Sequence, residues 1–392
     1  MLYTTVAALA AALVLFTWLG LRARLADGGL DDFVTARNSQ GARALGLSFL
    51  ASGMGGWILF APPEVGALVG PVALAGYALG AALPFIVFAF CGPAIRRYLP
   101  QGRSTGVALA TLIYPTWGGL RASIVTDQWQ AFLLIGLLAI VGFVAMDRLP
   151  ELQMADAPSA PVGSALGVAL TLVIAVTAAN LFHQGYWQRL WSARDTSALR
   201  SGALLGGLVT IIVVAVVGGL GIASAMSGAD LGSPPIPFFA LLSGAPAWLT
   251  IPALVLALTL VASSVDTLQN ALASLAVTEK QGLSIISARW VTVLLMIPVV
   301  IVALQGVSVL RLFLIADLLC ATAVIPVLMG LWKRMTTTAA VFGGLAGLAG
   351  AIIPGWMTGG SLTAGLLAAS FPGGIPTLAP FLGALAASAV VS

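Results

Sequence analysis

The stretch LASGMGGWILFAPPEVG (Leu50–Gly66) places four glycines and two prolines inside a segment, 44–69, that is otherwise apolar enough to cross a membrane. Both residue types interrupt helices, because glycine leaves the backbone unrestricted and proline lacks an amide N–H. Backbone groups freed at such a break find no partners in lipid, so a broken membrane helix must line a cavity. The stretch predicts an interrupted helix at a binding site; a small-residue packing face is the alternative.

The composition extends this interpretation to the whole chain. Of its 392 residues, 60% are hydrophobic and 8% are charged, whereas soluble domains average roughly 45–50% apolar and about 25% charged residues. Apolar segments of about 20 residues, long enough to cross a hydrocarbon core, recur from end to end. We predict an all-α polytopic membrane helix bundle that forms one domain over 1–392. The predicted spans are 2–21, 44–69, 71–95, 123–146, 163–182, 202–225, 247–277, 284–304, 308–331 and 338–357, with a last one within 361–391.

The basic residues are distributed unevenly between the predicted loops. If the N-terminus lies outside, 15 of the 17 lysines and arginines fall on the inner side, and only Arg148 and Arg311 fall on the outer side. Short loops rich in these residues stay in the cytoplasm. We therefore predict a multi-pass protein of the cell membrane with an external N-terminus. The net charge of +4 reflects this topology, and we expect a lipid bilayer and no nucleic acid among the partners.

A second interruption occurs in ANLFHQGYWQRL (Ala179–Leu190), where a polar cluster with a central glycine follows an apolar run. Two broken helices in corresponding positions of two halves are typical of inverted-repeat secondary transporters, whose binding site lies near the bilayer midplane. The simpler interpretation of this second stretch is the ordinary start of a loop.

The stretch LVASSVDTLQNALASL (Leu260–Leu275) sets Ser263, Ser264 and Asp266 in a helix that otherwise consists mainly of Leu, Val and Ala. Hydroxyl and carboxylate oxygens are the ligands that a small hard cation accepts in place of water. Serine hydroxyls also form hydrogen bonds between membrane helices, which is the alternative for the two serines alone. With the aspartate beside them, we favour an ion site.

Four other ionisable residues lie within or beside predicted spans: Glu64, Asp127, Asp317 and His183. Each acidic residue is a candidate ion or proton ligand, or else a solvated group or the partner of an arginine. His183, the only histidine, is a candidate substrate contact or a structural polar group. The chain has no phosphate-binding GxxxxGK[ST] loop, Cys/His metal spacing or G-x-S-x-G motif. We therefore expect no enzymatic activity, and transport would have to draw on an ion gradient.

Four stretches together resemble the sodium:solute symporter family. They are DDFVTARNSQGARALGLSFLASGMGGW, YPTWGGLRASIVTDQWQ, SSVDT and PVLMGLWKRMTTTAAVFGGLAG. They occur in the family's order and cover nearly the whole chain. The resemblance implies the LeuT-like fold, in which five helices are repeated upside down.

The resemblance also implies a set of site residues. In that family a sodium ion is bound by carbonyls at the break of the first core helix and by a hydroxyl pair on the eighth. Carried over by position, the predicted sodium ligands are Ala51, Met54, Leu260, Ser263 and Ser264, and the predicted ion pathway contains Asp127 and Asp266. We expect the substrate to contact residues at the two breaks, namely Gly53, Trp57, Asn180, Phe182, His183 and Gln184. At Gly53, proline-transporting relatives carry an acid.

The chain departs from the family between its second core helix and the Gly-Gly-Leu element. Relatives have two full helices there, whereas this chain has only 106–117, which is too short to span. We predict a first repeat over about 44–148, shortened near 100–117, a second repeat over about 162–331, and additional helices at 2–21 and 338–391. The broken first helix should still cross beside the Ser263 helix, with 106–117 as a piece that does not span and a widened central cavity.

The function predicted from the sequence is sodium-coupled symport of a small polar organic solute, such as a proline-like amino acid or urea. Two alternatives stay open at this point. One is a membrane binding or sensory module that keeps the ion site without transporting. The other is a proton-coupled carrier that uses Glu64 or Asp317.

Overall fold

A computed structural model describes residues 38–53, 55–98, 119–148, 160–261, 297–332, 334–368 and 377–392, with isolated positions elsewhere. The helices that we number in this part of the chain are α1 (Ala42–Gly53), α2 (Ala61–Val69), α3 (Pro71–Tyr98), α4 (Gly119–Arg148), α5 (Val162–Leu181), α6 (Gln184–Ser192), α7 (Thr196–Met226), α8 (Pro237–Leu241), α9 (Ala247–Val261), α10 (Val309–Met329), α11 (Thr337–Gly359), α12 (Leu362–Leu367) and α13 (Leu378–Val391).

The described helices confirm a multi-pass membrane bundle. Among them, α3, α5, α7, α10 and α11 are each long and apolar enough to cross a membrane, and the bent pair α1–α2 makes a sixth candidate span. α4 is 30 residues long. Most ends fall within a few residues of the predicted spans. α7 begins six residues earlier than predicted, because the Asp195 carboxylate caps it by accepting from the Ala198 N–H at 2.7 Å.

The predicted last span within 361–391 is wrong as a single helix. Two shorter helices occupy its described parts, α12 of six residues and α13 of 14. Each has its own start: the Ser361 hydroxyl accepts from the Ala364 N–H at 3.1 Å, and Thr377 is the N-cap of α13. The sequence between them, FPGGIP, carries two prolines and two glycines that signal the interruption.

The bundle has two halves whose helices make equivalent contacts. The first helix of one half, α1–α2, packs on α7, and the first helix of the other half, α5, packs on α3. α3 and α7 pack on each other, α1 contacts α4, and α5 contacts α10. If the halves are exchanged, α1–α2 takes the place of α5, and α3 takes the place of α7. The contact of α1–α2 with α7 then becomes that of α5 with α3, and the contact of α1 with α4 becomes that of α5 with α10. This arrangement fits an inverted repeat, in which both broken helices face the interior.

Glycines allow α2 and α7 to approach backbone to backbone. A side chain at Gly221 would place its Cβ 2.5 Å from the Pro63 Cα and 2.7 Å from the Pro63 carbonyl carbon. A side chain at Gly66 would lie 3.1 Å from the Gly218 carbonyl carbon. Small residues at such crossings are typical of membrane helix packing, because lipid provides no hydrophobic driving force between helices. The close approach fixes α2, which forms one side of the first break.

Candidate functional site

The first break separates α1 from α2 as the sequence predicts. α1 ends at Gly53, a short 3-10 turn covers Gly56–Leu59, and the arms 42–51 and 56–69 are bent by 67°. The indole Nε1 of Trp57 donates a hydrogen bond to the Gly53 carbonyl at 2.7 Å. This bond satisfies one of the carbonyls that a helix leaves unpaired at its C-terminus.

The second break uses the same device. α5 ends at Leu181, Phe182 and His183 follow, and α6 begins at Gln184. The indole Nε1 of Trp187 donates to the Leu181 carbonyl at 2.7 Å. In each interrupted helix a tryptophan side chain therefore caps a backbone carbonyl, which lies four residues before Trp57 and six residues before Trp187. Trp57 was predicted as a substrate contact only, and Trp187 was not predicted to take part in the site.

Tyr186 joins the two breaks. A side chain at Gly53 would collide with the Tyr186 hydroxyl and lie 2.6 Å from its Cζ. The Tyr186 ring lies 4.7 Å, between centroids, from the His183 imidazole and 4.9 Å from Phe85. Tyr186 is 3% exposed. Gly53 is thus needed to make room for the buried phenol of Tyr186.

A buried arginine links α6 to α1 below this cluster. Arg189 is 3% exposed, its Nε donates to the Ser48 hydroxyl at 2.6 Å, and a terminal nitrogen donates to the Gly185 carbonyl at 2.7 Å. The segment before α1 also pairs with the end of α6, where the Gln40 N–H donates to the Ser192 carbonyl at 3.0 Å. These bonds hold α1 and α6, one arm of each broken helix, together.

The residues predicted to bind sodium are described in part. Ala51 lies two residues before the end of α1, so its carbonyl has no partner within that helix. Leu260 is 2% exposed near the end of α9, and a side chain at Gly56 would collide with its neighbour Val261. The structure therefore brings the first break against α9 just before the two serines. Met54, Ser263, Ser264 and Asp266 lie outside the described residues.

The remaining predicted contacts are spread along the second break. The Asn180 side-chain amide donates to the Val176 carbonyl at 2.9 Å, Phe182 is 38% exposed, and the Nδ1 atom of His183 is buried without a hydrogen bond. Gln184 begins α6 and Asp127 lies in the third turn of α4, but their side chains lie outside the described residues.

Within the described part of the chain, Glu64 forms no ion pair with an arginine, which was one of the expected alternatives. The Ser308 hydroxyl donates to the Glu64 carboxylate, with oxygen distances of 2.6 and 2.8 Å. Ser308 is the N-cap of α10, so the carboxylate lies at the positive end of that helix. The contact joins α2 to the start of α10 across 244 residues of sequence.

Replacing the capping tryptophans by phenylalanine is expected to destabilise the protein. Trp57→Phe and Trp187→Phe each keep an aromatic ring but leave a carbonyl at a helix break without its donor, at a cost of about 1–3 kcal/mol. Thermal unfolding of the full chain in lipid nanodiscs measures the effect. Trp356→Phe is the control, because that side chain is 50% exposed on α11. Equal melting temperatures for the three variants would contradict the capping role.

No protein-family profile matches the chain. It is similar to the spermidine transporter DUR31 of Candida albicans, with 27% identity over 363 residues that cover 76% of this chain and 69% of that protein. Among solved structures, it is similar to a substrate-bound, outward-open Na⁺-coupled sialic acid symporter, with a TM-score of 0.59 and 16% identity over 98% of this chain and 97% of that one.

The structural similarity extends over almost the whole length of both chains, so the predicted fold class is confirmed. The relative from Candida albicans is itself a membrane transporter. Together, the described helices and this structural similarity indicate a multi-pass membrane protein with a LeuT-like bundle of broken helices.

Proposed function

We propose that the chain is a sodium-coupled symporter of a small polar organic solute, with the ion bound where the first break meets α9. The observation that carries this proposal is the contact between Gly56 and Val261. It puts the carbonyl end of α1, including Ala51, beside the end of α9, which precedes Ser263 and Ser264 in the sequence. The C-terminal end of a helix is its negative pole, and carbonyl and hydroxyl oxygens replace the water around a sodium ion. The solved symporter with this fold is itself Na⁺-coupled.

The solute is proposed to bind between the two breaks, beside Gly53, Trp57 and His183. These residues already share one cluster through Tyr186 and the Trp57–Gly53 hydrogen bond. The buried Nδ1 of His183, for which the described residues provide no hydrogen-bond partner, is the polar atom that we propose to contact the solute. The proposed solutes are an amino acid or urea, and the fungal relative adds an organic amine, because it is named for spermidine.

We also propose that the first repeat of this chain is shortened internally. The alignment with the fungal relative is 363 positions long, but it covers only 76% of the 392 residues of this chain. That relative therefore carries residues within the aligned region that this chain lacks, which supports an internal shortening. Residues 100–117, where we predict it, lie outside the described part of the chain. A module that binds without transporting is accordingly the second candidate function.

Uptake into proteoliposomes tests the proposed function. The full chain is reconstituted, and uptake of labelled proline, urea and spermidine is measured under an inward sodium gradient and, separately, under a pH gradient in sodium-free buffer. Sodium-driven uptake of any of these solutes supports the proposal. Uptake driven only by the pH gradient supports a proton-coupled carrier instead. Solute binding without uptake under either gradient supports the binding module.

Asp127→Asn is expected to slow sodium release more than it lowers sodium affinity. Asp127 lies near the predicted inner end of α4, and α4 packs on α1, so we place the side chain on the inner path of the ion and outside its binding site. Stopped-flow release rates and equilibrium titration measure the two quantities. Asp195→Asn, a change at an exposed helix cap, is the control. Equal losses in both quantities would move Asp127 into direct contact with the ion.

A further inference from the structure

Three aromatic rings, from the 3-10 turn of the first break, α3 and α10, lie close together. The Trp57 ring lies 5.9 Å from the Tyr77 ring of α3 and 6.2 Å from the Phe313 ring of α10, measured between centroids. Tyr77 is 3% exposed, whereas Phe313 is 38% exposed. The cluster is therefore buried on one side and open on another. Aromatic faces of this kind attract cations, most strongly where water is excluded.

A buried carboxylate lies one helical turn below these rings. Asp317 follows Phe313 by four residues, which puts both on one face of α10. Asp317 is the centre of the buried stripe of α10, whose other members are Leu310, Leu314, Ala321 and Val324. It is 5% exposed, and no hydrogen bond or ion pair joins its carboxylate to another residue in the described part of the chain. Leaving a carboxylate buried in this way is costly unless it is protonated or meets a cation.

A second carboxylate lies at the outer end of the same helix. Glu64, also 5% exposed, accepts from Ser308, nine residues before Asp317. At 1.5 Å per residue the two levels are about 13 Å apart along α10, and Phe313 lies between them. This part of the site is therefore an elongated region with a carboxyl group towards each end and aromatic rings between them.

We infer that this region binds an alkyl diamine or polyamine, with one ammonium group on the Asp317 carboxylate and the chain against the rings of Trp57, Tyr77 and Phe313. The inference rests on the proposed function and specifies its solute. An ammonium group supplies the hydrogen-bond donors that Asp317 lacks, and charge-assisted bonds of this type are among the strongest. The second ammonium group of the diamine or polyamine is attracted by the Glu64 carboxylate. A free amino acid fits less well, because its own carboxylate would be repelled.

Calorimetric binding to the full chain in nanodiscs, in sodium buffer at neutral pH, tests the inference. The probes are spermidine, 1,4-diaminobutane, butylamine, proline and urea. We expect the diamine and spermidine to bind at least about tenfold more tightly than butylamine, since the monoamine lacks the second charge. Asp317→Asn should weaken diamine binding roughly 10- to 100-fold, the range for losing a hydrogen bond to a charged group. Asp230→Asn, at an exposed position beyond α7, is the matched control and should leave binding unchanged.

Several results would overturn the inference. These are equal affinities for the monoamine and the diamine, diamine binding that survives Asp317→Asn, and no amine binding at all. The comparison of probes uses the wild-type chain, so it decides the question even if the variant does not fold. Sodium-driven uptake of urea or proline without competition by amines would reject the amine site and leave the symport proposal standing. Amine binding without sodium-driven uptake would support the amine site and reject the symport proposal.

Discussion

Gly221→Leu is expected to abolish folding of the outer half of the site and, with it, transport. Even the first added carbon would lie 2.5 Å from the Pro63 Cα and 2.7 Å from the Pro63 carbonyl carbon, and backbone atoms cannot move aside as a flexible side chain can. α2 would have to leave α7, which also displaces Glu64 from the start of α10. Overpacking costs typically about 1–3 kcal/mol where side chains can adjust, and more is expected here.

The matched control lies two residues away on the same helix. Gly219 has open space around its Cα, so Gly219→Leu adds the same volume at the same depth without a clash. The yield of monodisperse protein and its melting temperature are the measurements. Gly219→Leu should match the wild-type chain. Similar behaviour of the two variants would mean that the close crossing of α2 and α7 is not needed.

Gly53→Asp is expected to abolish transport. The new Cβ would overlap the Tyr186 hydroxyl, and that ring is held by Phe85 and His183 at centroid distances of 4.9 and 4.7 Å. Gly53→Asp alone should therefore destabilise the chain by about 1–3 kcal/mol. Tyr186→Ala removes the overlapping ring, and the double variant should be more stable than the sum of the two single changes predicts.

Gly41→Ala is the control for this cycle, because Gly41 has open space next to the start of α1. The four proteins of the cycle are compared by thermal unfolding and by uptake. Additive losses in the double variant would show that Gly53 and Tyr186 do not share this space, and the account of the two breaks as one cluster would fail.

The positions of both breaks were predictable because their signals are local. Glycine and proline residues interrupt the first helix, and a polar cluster with a glycine interrupts the second, so each break falls within a few residues of its sequence signal. The starts of α7 and α12 depend on caps of the same local kind. The separation of α12 from α13 was missed, although the prolines and glycines of the intervening sequence are an equally clear signal, because apolar residues surround them.

The contacts that build the site were not predictable in this way. The hydrogen bond from Trp187 to the Leu181 carbonyl depends on how the chain turns between α5 and α6 and on the ring's rotamer. The bond between Ser308 and Glu64 spans 244 residues, and the space that Tyr186 takes beside Gly53 depends on the packing of three helices. Periodicity and composition contain no information on such pairs. The aromatic cluster around Trp57 belongs to the same class of tertiary features.

The measurement that tests the account most directly is the sodium dependence of thermal unfolding, with the wild-type chain compared to the Ser263→Ala/Ser264→Ala double variant. Both are placed in nanodiscs at constant ionic strength, with potassium replacing sodium. An ion bound only by the folded protein stabilises it by about 2.7 kcal/mol at 100 times its Kd. We predict that sodium stabilises the wild-type chain, that potassium does not, and that the double variant loses the response because two oxygen ligands beside α9 are gone. Equal stabilisation of both proteins by sodium, or of the wild-type chain by either cation, would contradict an ion site between the first break and the α9 helix.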